Sequence, residues 1–333
     1  MGEQQVSATL QQVLVADPCG RVNVRLVAAA GRAGGVGIVD VADPADLPMV
    51  AAELGRRRVE AWWLRPGPAV TAAAVAGTDL RPAAVVLPGD GVDAATVDGW
   101  GAVADRVVAQ CVSPAEAEAA RQAGVSGLVA SGAEAGGRVG DTEAFILFQQ
   151  LVELGLAVWV RGGIGRHTAA AVVAGGGAGV LLDAQLGCCK EADLQPATRQ
   201  LVAAMDGSET RVVGGHRFLT RPDLPAAALP DDTGVDEVAS FLGVDLRTQL
   251  VPIGQDGGFA AGLAERYATV GGVVQAVAAA IEANAAAAAE AEPLAPGHGV
   301  SEANGTRYPI AQGPMTRVSD RAAFARSVAD GGG

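Results

Sequence analysis

The chain has 333 residues, half of them apolar, which is enough for one large hydrophobic core with further segments attached. Only 18% of the residues are charged and the formal net charge is −13, so nucleic acid is not expected as the main partner. Lys190 is the only lysine, and mechanisms that depend on a Schiff-base or Walker-type lysine therefore have almost no candidate residue.

Cysteine and histidine content gives no sign of a metal site. The four cysteines form no CxxC pair and the three histidines are scattered, so no zinc-ligand spacing occurs. The first twelve residues lack the basic and apolar regions of a secretory signal. The alanine-rich run 270–291 is interrupted by polar residues and is interpreted as a soluble helix. We therefore expect a cytoplasmic protein without a bound metal or a membrane partner.

Short apolar runs alternate with segments of helical spacing from residue 10 to about residue 190. Most runs are rich in valine and too short for a buried helix, as expected for parallel strands covered on both faces. The runs are Val13–Ala16, Val36–Val41, Ala61–Leu64, Ala83–Leu87, Arg106–Cys111, Gly127–Ala130, Ala157–Val160 and Gly179–Leu182. Such a pattern predicts an α/β fold, a (β/α)8 TIM barrel. The alternative is a doubly wound sheet, but no Gly-x-Gly-x-x-Gly follows the first run.

The alternation stops after the eighth run, which suggests a division of the chain. We predict a barrel over residues 1–190, an irregular and helical appendage over 191–292, a linker over 293–307, and the truncated start of a second, homologous barrel over 308–333.

The second barrel is inferred from an internal repeat. The segment that begins at Val13 and the segment that begins at Tyr308 both read as a strand, a proline, Arg-Val-Asn/Ser, an alanine-rich helix and consecutive glycines. Asn23 and Ser319 correspond to each other and are expected to cap the first helix of each copy.

Two segments resemble a known family. Tyr308–Met315 (YPIAQGPM) resembles the first strand and loop of the nitronate monooxygenase (2-nitropropane dioxygenase) and FMN-dependent enoyl reductase family, and Gly127–Gly140 (GLVASGAEAGGRVG) is similar to its sixth strand and the Glu-Ala-Gly-Gly-His loop that follows. Arg161–Ile164 and Gly177–Val180 stand where that family holds the FMN phosphate. The resemblance implies an FMN-dependent oxidoreductase (a flavoprotein), with NAD(P)H as the reductant in the enoyl reductase version.

Further segments resemble a subgroup of that family. Met205–Thr210 and Ile253–Asp256 look like parts of flavin barrels that are embedded, sometimes in tandem, in large polyketide or fatty-acid synthases. This resemblance implies a small-molecule or carrier-protein-tethered acyl substrate, and further domains of the same polypeptide as partners.

The residues themselves allow a phosphate site at the end of the seventh strand, although glycines at such a position more often form an ordinary barrel loop. The glycines of 162–165 follow the seventh strand and open a helix, so backbone N–H groups and the helix N-terminus can face an anion. Asp183 departs from the family, which places Gly-Thr at this position, and its charge would repel a phosphate unless Arg161 or Arg166 compensates. The resemblance assigns the phosphate side of the cofactor to Gly162, Gly163, Ile164, Gly179, Asp183 and Ala184.

The flavin-ring side falls on other strand ends. In the family the first loop touches the ring, and here that loop is Asp17, Pro18 and Cys19, where the second copy has 313–315 (GPM). A charged Asp17 would disfavour the reduced, anionic flavin. The remaining assignments are Gln110 and Ser131 for the ring, and Glu134, Gly136 and Gly137 for the substrate.

Arg138 stands where the family has the histidine linked to proton removal from the substrate. A guanidinium stays protonated near neutral pH and cannot act as a general base. Arg138 could stabilise an enolate, bind a carboxylate or hold a phosphopantetheine phosphate. The structural alternative is a loop arginine paired with Glu134 or Asp141.

Three functions remain open at this point. The first is an FMN-dependent oxidoreductase at the head of a multidomain synthase. The second is a non-catalytic barrel that scaffolds an active second copy, because Gln312–Met315 keeps the family motif that the first copy has lost. The third is a phosphate-ligand isomerase or lyase without flavin.

Overall fold

Eight parallel strands close into a barrel, as the alternation of apolar runs predicts. The computed structural model describes residues 13–315 and 321–333, and residues up to Ile281 form one compact unit while those from Glu282 onward form another. The barrel strands follow one another around the sheet in chain order. They are β1 (Val13–Val15), β2 (Val36–Val41), β3 (Trp62–Pro66), β4 (Ala84–Pro88), β5 (Val107–Cys111), β6 (Gly127–Ser131), β8 (Ala157–Arg161) and β9 (Gly179–Leu182).

Alternate residues of each strand face opposite sides of the barrel wall. Leu14 and Ile38 belong to the core inside the barrel, whereas Val13 and Val15 pack beneath the surrounding helices. The interior also contains Trp63 and Trp159, whose rings meet edge to face with centroids 5.1 Å apart. The interior of the barrel is thus filled by side chains.

Helices cover the outside of the barrel and continue beyond it. Asn23 caps the first by accepting from Leu26 N, and Ser113 caps another by accepting from Glu116 N. Helices of the first unit are Val24–Arg32, Leu47–Arg57, Ala72–Ala76, Ala94–Gly101, Pro114–Ala123, Ala144–Val152, Arg166–Ala174, Pro196–Ala203, Val235–Phe241, Ala260–Tyr267 and the start of Val270–Ala291. Short 3-10 helices include Ala184–Leu186 and Gln255–Phe259.

Residues 191–281 pack in the same compact unit as the barrel. A second, antiparallel sheet joins β7 (Gly137–Arg138), which lies in the loop after β6, to the hairpin of β10 (Thr210–Val213) and β11 (His216–Leu219). Helix Val270–Ala291 has the length and apolar composition of a membrane span. Its valines 270, 273, 274 and 277 are nevertheless buried in the same core as the barrel helices, as in a core helix of a globular protein.

Among its described residues, the second unit contains the end of that helix and two further helices, Gly299–Asn304 and Ala322–Gly331. The alanine-rich helix expected after Tyr308 is therefore present. Residues 308–315 are not in a strand. Ser319 lies outside the described residues. The truncated second barrel stays a prediction.

Candidate functional site

A cavity of about 380 Å³ lies at the carboxyl ends of the barrel strands, where barrels of this kind place their chemistry. The predicted site residues that line it are Asp17, Pro18, Cys19, Gln110, Gly136, Gly137, Arg138 and Asp183. The predicted residues that do not line it are Ser131, Glu134, Gly162, Gly163, Ile164, Gly179 and Ala184. The residues assigned to the flavin ring and the substrate mostly meet at this cavity, whereas those assigned to the phosphate lie, apart from Asp183, outside it.

A buried ion pair forms part of the cavity wall. Arg161, at the end of β8, donates from Nε to Asp183 Oδ2 at 2.7 Å. Its two remaining nitrogens donate to Ser131 Oγ at 2.9 Å and to the Gly136 carbonyl at 2.6 Å. Arg161 thus compensates the charge of Asp183. All three of its guanidinium nitrogens already donate to groups of the protein, so Arg161 cannot form a two-fold contact with a phosphate.

The first loop is organised by its own carboxylate. Asp17 Oδ1 accepts from Cys19 N at 3.0 Å and Arg21 N at 3.3 Å, and Oδ2 accepts from Asn23 Nδ2 at 3.0 Å. Burial, with the nearby charge of Asp17, raises the pKa of the Cys19 thiol well above its usual range. This shift disfavours the thiolate that a nucleophilic cysteine needs.

A second buried pair, missed by the sequence analysis, lies across the cavity. Arg65 at the end of β3 donates from Nε to Asp40 Oδ1 of β2, and its Nη1 donates to Gln110 Oε1 at 3.3 Å. Burial raises the pKa of Asp40, although Arg65 acts in the opposite direction. Among the described residues, Asp40 Oδ2 has no hydrogen-bond donor. A charged residue inside the run VGIVDV was the available signal, because buried strands rarely carry one.

Arg138 makes different contacts from those expected. Its guanidinium forms a two-fold contact with Glu116 and lies 3.6 Å from Asp90 Oδ2, rather than pairing with Glu134 or Asp141. It still lines the cavity and its side chain is 30% exposed. A ligand anion would compete with two carboxylates for this guanidinium.

The appendage holds the loop that carries Arg138. β11 pairs with β7 on that loop, and Arg217 of β11 donates from Nε to the Ala133 carbonyl at 2.6 Å and from Nη1 to Thr210 Oγ1 at 2.8 Å. The resemblance of Gly127–Gly140 to an active-site loop does not reveal this support, because the hairpin lies some 80 residues further along the chain.

The glycine loop predicted to bind phosphate is occupied by the chain itself. Gly162 and Gly163 have the positive φ values, +106° and +64°, of an anion-binding loop. Gly163 N, however, donates to Asp256 Oδ1 at 2.6 Å, and Asp256 Oδ2 accepts from Gln185 Nε2 at 3.0 Å. Glu134 also reaches the loop, since a Cβ on Gly163 would lie 3.2 Å from Glu134 Oε1. Two carboxyl groups therefore surround the position of the expected phosphate.

Asp256 is 1% exposed. Burial and the neighbouring charge of Asp183 raise the pKa of its carboxyl to about 8, against the lowering effect of the Gly163 hydrogen bond. It is held there by close packing: a Cβ on Gly254 would come within 2.5 Å of the Glu134 carbonyl oxygen and of Gly136 N. Asp256 and the segment around Gly254 are therefore closely packed in the protein interior.

FMN fits this site only in part. The cavity offers space and polar groups for a ring, including Gln110. The phosphate does not fit, because the loop amide of Gly163 is taken by Asp256 and the nearby Arg161 is already paired with Asp183. Phosphate binding as the resemblance implies it would require Asp256 to leave.

The barrel is similar in fold to several solved structures. FabK from Thermotoga maritima has a TM-score of 0.73 at 19% identity, over 86% of this chain and 98% of that one. A nitroalkane oxidase from Streptomyces ansochromogenes has a TM-score of 0.68 at 20% identity, over 83% and 97%. The enoyl reductase domain of MlnA, from the macrolactin biosynthesis cluster of Bacillus amyloliquefaciens, has a TM-score of 0.62 at 10% identity, over 84% and 95%.

These similarities confirm the predicted fold. No protein-family model matches the sequence, and neither does any curated protein.

Proposed function

We propose that this chain is a cytoplasmic oxidoreductase-type barrel of a polyketide or fatty-acid synthase, of the nitronate monooxygenase and enoyl reductase kind, whose flavin phosphate site is closed. Its fold, shared with a nitroalkane oxidase and an enoyl reductase domain from a biosynthesis cluster, supports the first part. The hydrogen bond from Gly163 N to the Asp256 carboxyl supports the second part, that the phosphate site is closed. In this form the barrel scaffolds an active second copy of which residues 308–333 would be the beginning.

The phosphate site is closed because Asp256 and a phosphate would compete for the same hydrogen-bond donor, the Gly163 N–H. A phosphate at this loop would need the Gly163 N–H, which donates to Asp256, and would meet Glu134, whose Oε1 would lie 3.2 Å from a Cβ on Gly163. Like charges in a weakly screened site repel strongly. Asp256, when protonated, fills the same position without that repulsion.

A second candidate is an FMN-dependent oxidoreductase that acts in this barrel. It is favoured by the cavity at the carboxyl ends of the barrel strands, where Gln110, the first loop and the loop of Gly136–Arg138 meet. In that case NAD(P)H would serve as the reductant, and bound FMN would supply the redox chemistry. Arg138 would face the substrate.

One titration separates the two candidates. The 333-residue protein is titrated with FMN and with riboflavin, which lacks the phosphate, and binding is followed by quenching of flavin fluorescence. We expect no preference for FMN in the wild type or in Asp256→Asn, which keeps the position filled. Asp256→Ala, which vacates it, should gain a preference for FMN. Wild-type protein that binds FMN at least tenfold more tightly than riboflavin would establish the second candidate instead.

A further inference from the structure

The three asparagines of the chain lie in different surroundings, and asparagine is a chemically labile residue. Asn23 is 8% exposed, and both the oxygen and the nitrogen of its side chain are held by hydrogen bonds. Asn284 lies well inside helix Val270–Ala291. Asn304 is exposed and is the last residue of helix Gly299–Asn304. Of the three asparagines, Asn304 alone combines exposure with a helix end.

Asn284 and Asn304 stand in nearly the same sequence. Residues 282–285 read Glu-Ala-Asn-Ala, and residues 302–305 read Glu-Ala-Asn-Gly. Gly305 has a φ of +68°, and a Cβ at this position would meet nothing within 4 Å. Because glycine has no side chain, the peptide nitrogen of Gly305 is open to approach. The two asparagines therefore differ in the residue that follows them and in their position in a helix.

The two helices restrain their asparagines to different degrees. The helix around Asn284 has 22 residues, whereas the helix that ends at Asn304 has six. Isolated helices of the shorter kind are marginal, and terminal turns open first. Two hydrogen bonds close this last turn, from Gly305 N to the Glu302 carbonyl at 3.2 Å and from Asn304 Nδ2 to the Val300 carbonyl at 2.8 Å. Opening of this single turn releases both the Gly305 nitrogen and the Asn304 amide.

We propose that Asn304 is a site of spontaneous deamidation, whereas Asn23 and Asn284 are protected by the structure around them. The Gly305 nitrogen loses its proton to a base in the solvent and attacks Asn304 Cγ. The new N–Cγ bond closes a succinimide ring, the Cγ–Nδ2 bond breaks, and Nδ2 leaves with a proton as ammonia. Water then opens the ring to aspartate or isoaspartate. The reaction consumes water, releases ammonia, and needs no oxidant or reductant.

The product alters the end of the short helix. A carboxylate at position 304 places a negative charge at a helix C-terminus, where the helix dipole disfavours it. The donor from Asn304 Nδ2 to the Val300 carbonyl is also lost. The amide of Thr306, which donates to the Ser301 carbonyl at 2.9 Å, should therefore exchange faster with deuterium in the modified chain.

The test is incubation of the 333-residue protein at neutral pH, followed by peptide mapping with mass spectrometry, which detects replacement of the side-chain NH2 by OH. We expect conversion at Asn304 to be about tenfold or more faster than at Asn284. Asn304→Gln, whose longer side chain cannot close the same ring, is the matched control.

The decisive variant is Ala285→Gly, which gives residues 282–285 the Glu-Ala-Asn-Gly sequence of residues 302–305 inside the long helix. We expect Asn284 of this variant to stay unconverted in the folded protein. In urea, where neither helix persists, Asn284 and Asn304 of the variant should convert at similar rates. Circular dichroism establishes that the variant keeps its helices without urea.

Two results would overturn the proposal. The first is conversion at Asn304 that is no faster than at Asn284 in the wild type. The second is equal conversion of the two asparagines in folded Ala285→Gly, which would mean that the local sequence determines the rate and the helix end does not. Neither result bears on the proposed function, and the flavin titration does not bear on deamidation.

Discussion

Arg161, the last residue of β8, and Asp183, which directly follows β9, form an ion pair at 2.7 Å with side chains only 7% and 3% exposed. Two ionised groups at this depth are stable only as a pair, because either alone would be a charge removed from water.

Removing one partner should therefore be costly. We expect Arg161→Met to lower the free energy of unfolding by about 3–5 kcal/mol, measured by urea denaturation followed by circular dichroism. Arg161→Met combined with Asp183→Asn should recover part of the loss. Arg121→Met, in the exposed pair with Glu118, should cost less than about 1 kcal/mol. Equal losses at the two arginines would contradict a buried pair.

Asp256 predicts a pH dependence of stability. Its folded pKa is raised from 3.8 to about 8, so the proton is bound more tightly in the folded state. The associated stability is complete below about pH 4, declines as the pH rises, and is lost above about pH 8. Urea unfolding of the wild type between pH 4 and pH 9 should show this decline, and Asp256→Asn should show a flatter profile. Parallel profiles for the two proteins would refute the raised pKa.

Gly254 is required by a close approach of two backbones. A Cβ at this position would lie 2.5 Å from both the Glu134 carbonyl oxygen and Gly136 N, which must move apart. Gly254→Ala should destabilise the protein by about 1–3 kcal/mol or more, measured as a shift in the thermal midpoint. Gly262→Ala, in a helix where a Cβ meets nothing within 4 Å, should be neutral or slightly stabilising. Tolerance of both substitutions would mean that the segment is not packed as described.

Arg217 is expected to keep the Arg138 loop ordered. Arg217→Gln removes the donor to the Ala133 carbonyl, so the backbone amides of the β7 loop should exchange with deuterium faster, while amides of β4 should be unaffected. Hydrogen exchange followed by mass spectrometry measures both. A uniform increase across the barrel would indicate general destabilisation and not local support.

The barrel was predictable from sequence because each strand is a short apolar run covered on both faces. The eight predicted runs agree with the strands to within two residues at each end. Trp62 and Trp63 show why the agreement is close, since neighbouring residues of one strand face the outer and inner cores. Such alternation is a local property and can be recognised without long-range information.

Site residues could be predicted from the sequence only where their position at the end of one strand is enough to place them at the cavity. Gln110 and the first loop line the cavity as local reasoning expects. The partners of Gly163 and Arg138 were not predictable, because Asp256 lies 93 residues from Gly163 and Glu116 lies 22 residues from Arg138. A glycine loop indicates space for an anion, but not whether the chain supplies that anion itself.

The fold has a consequence for where this chain can be shortened. Residues after the eighth strand supply Asp256 to the glycine loop, the hairpin behind Arg138, and valines 273, 274 and 277 to the barrel's core. An expression boundary placed at residue 190, where the strand repeat ends, would cut through that core and leave an aggregation-prone apolar surface. Shortened recombinant versions should therefore retain the chain at least through Ile281.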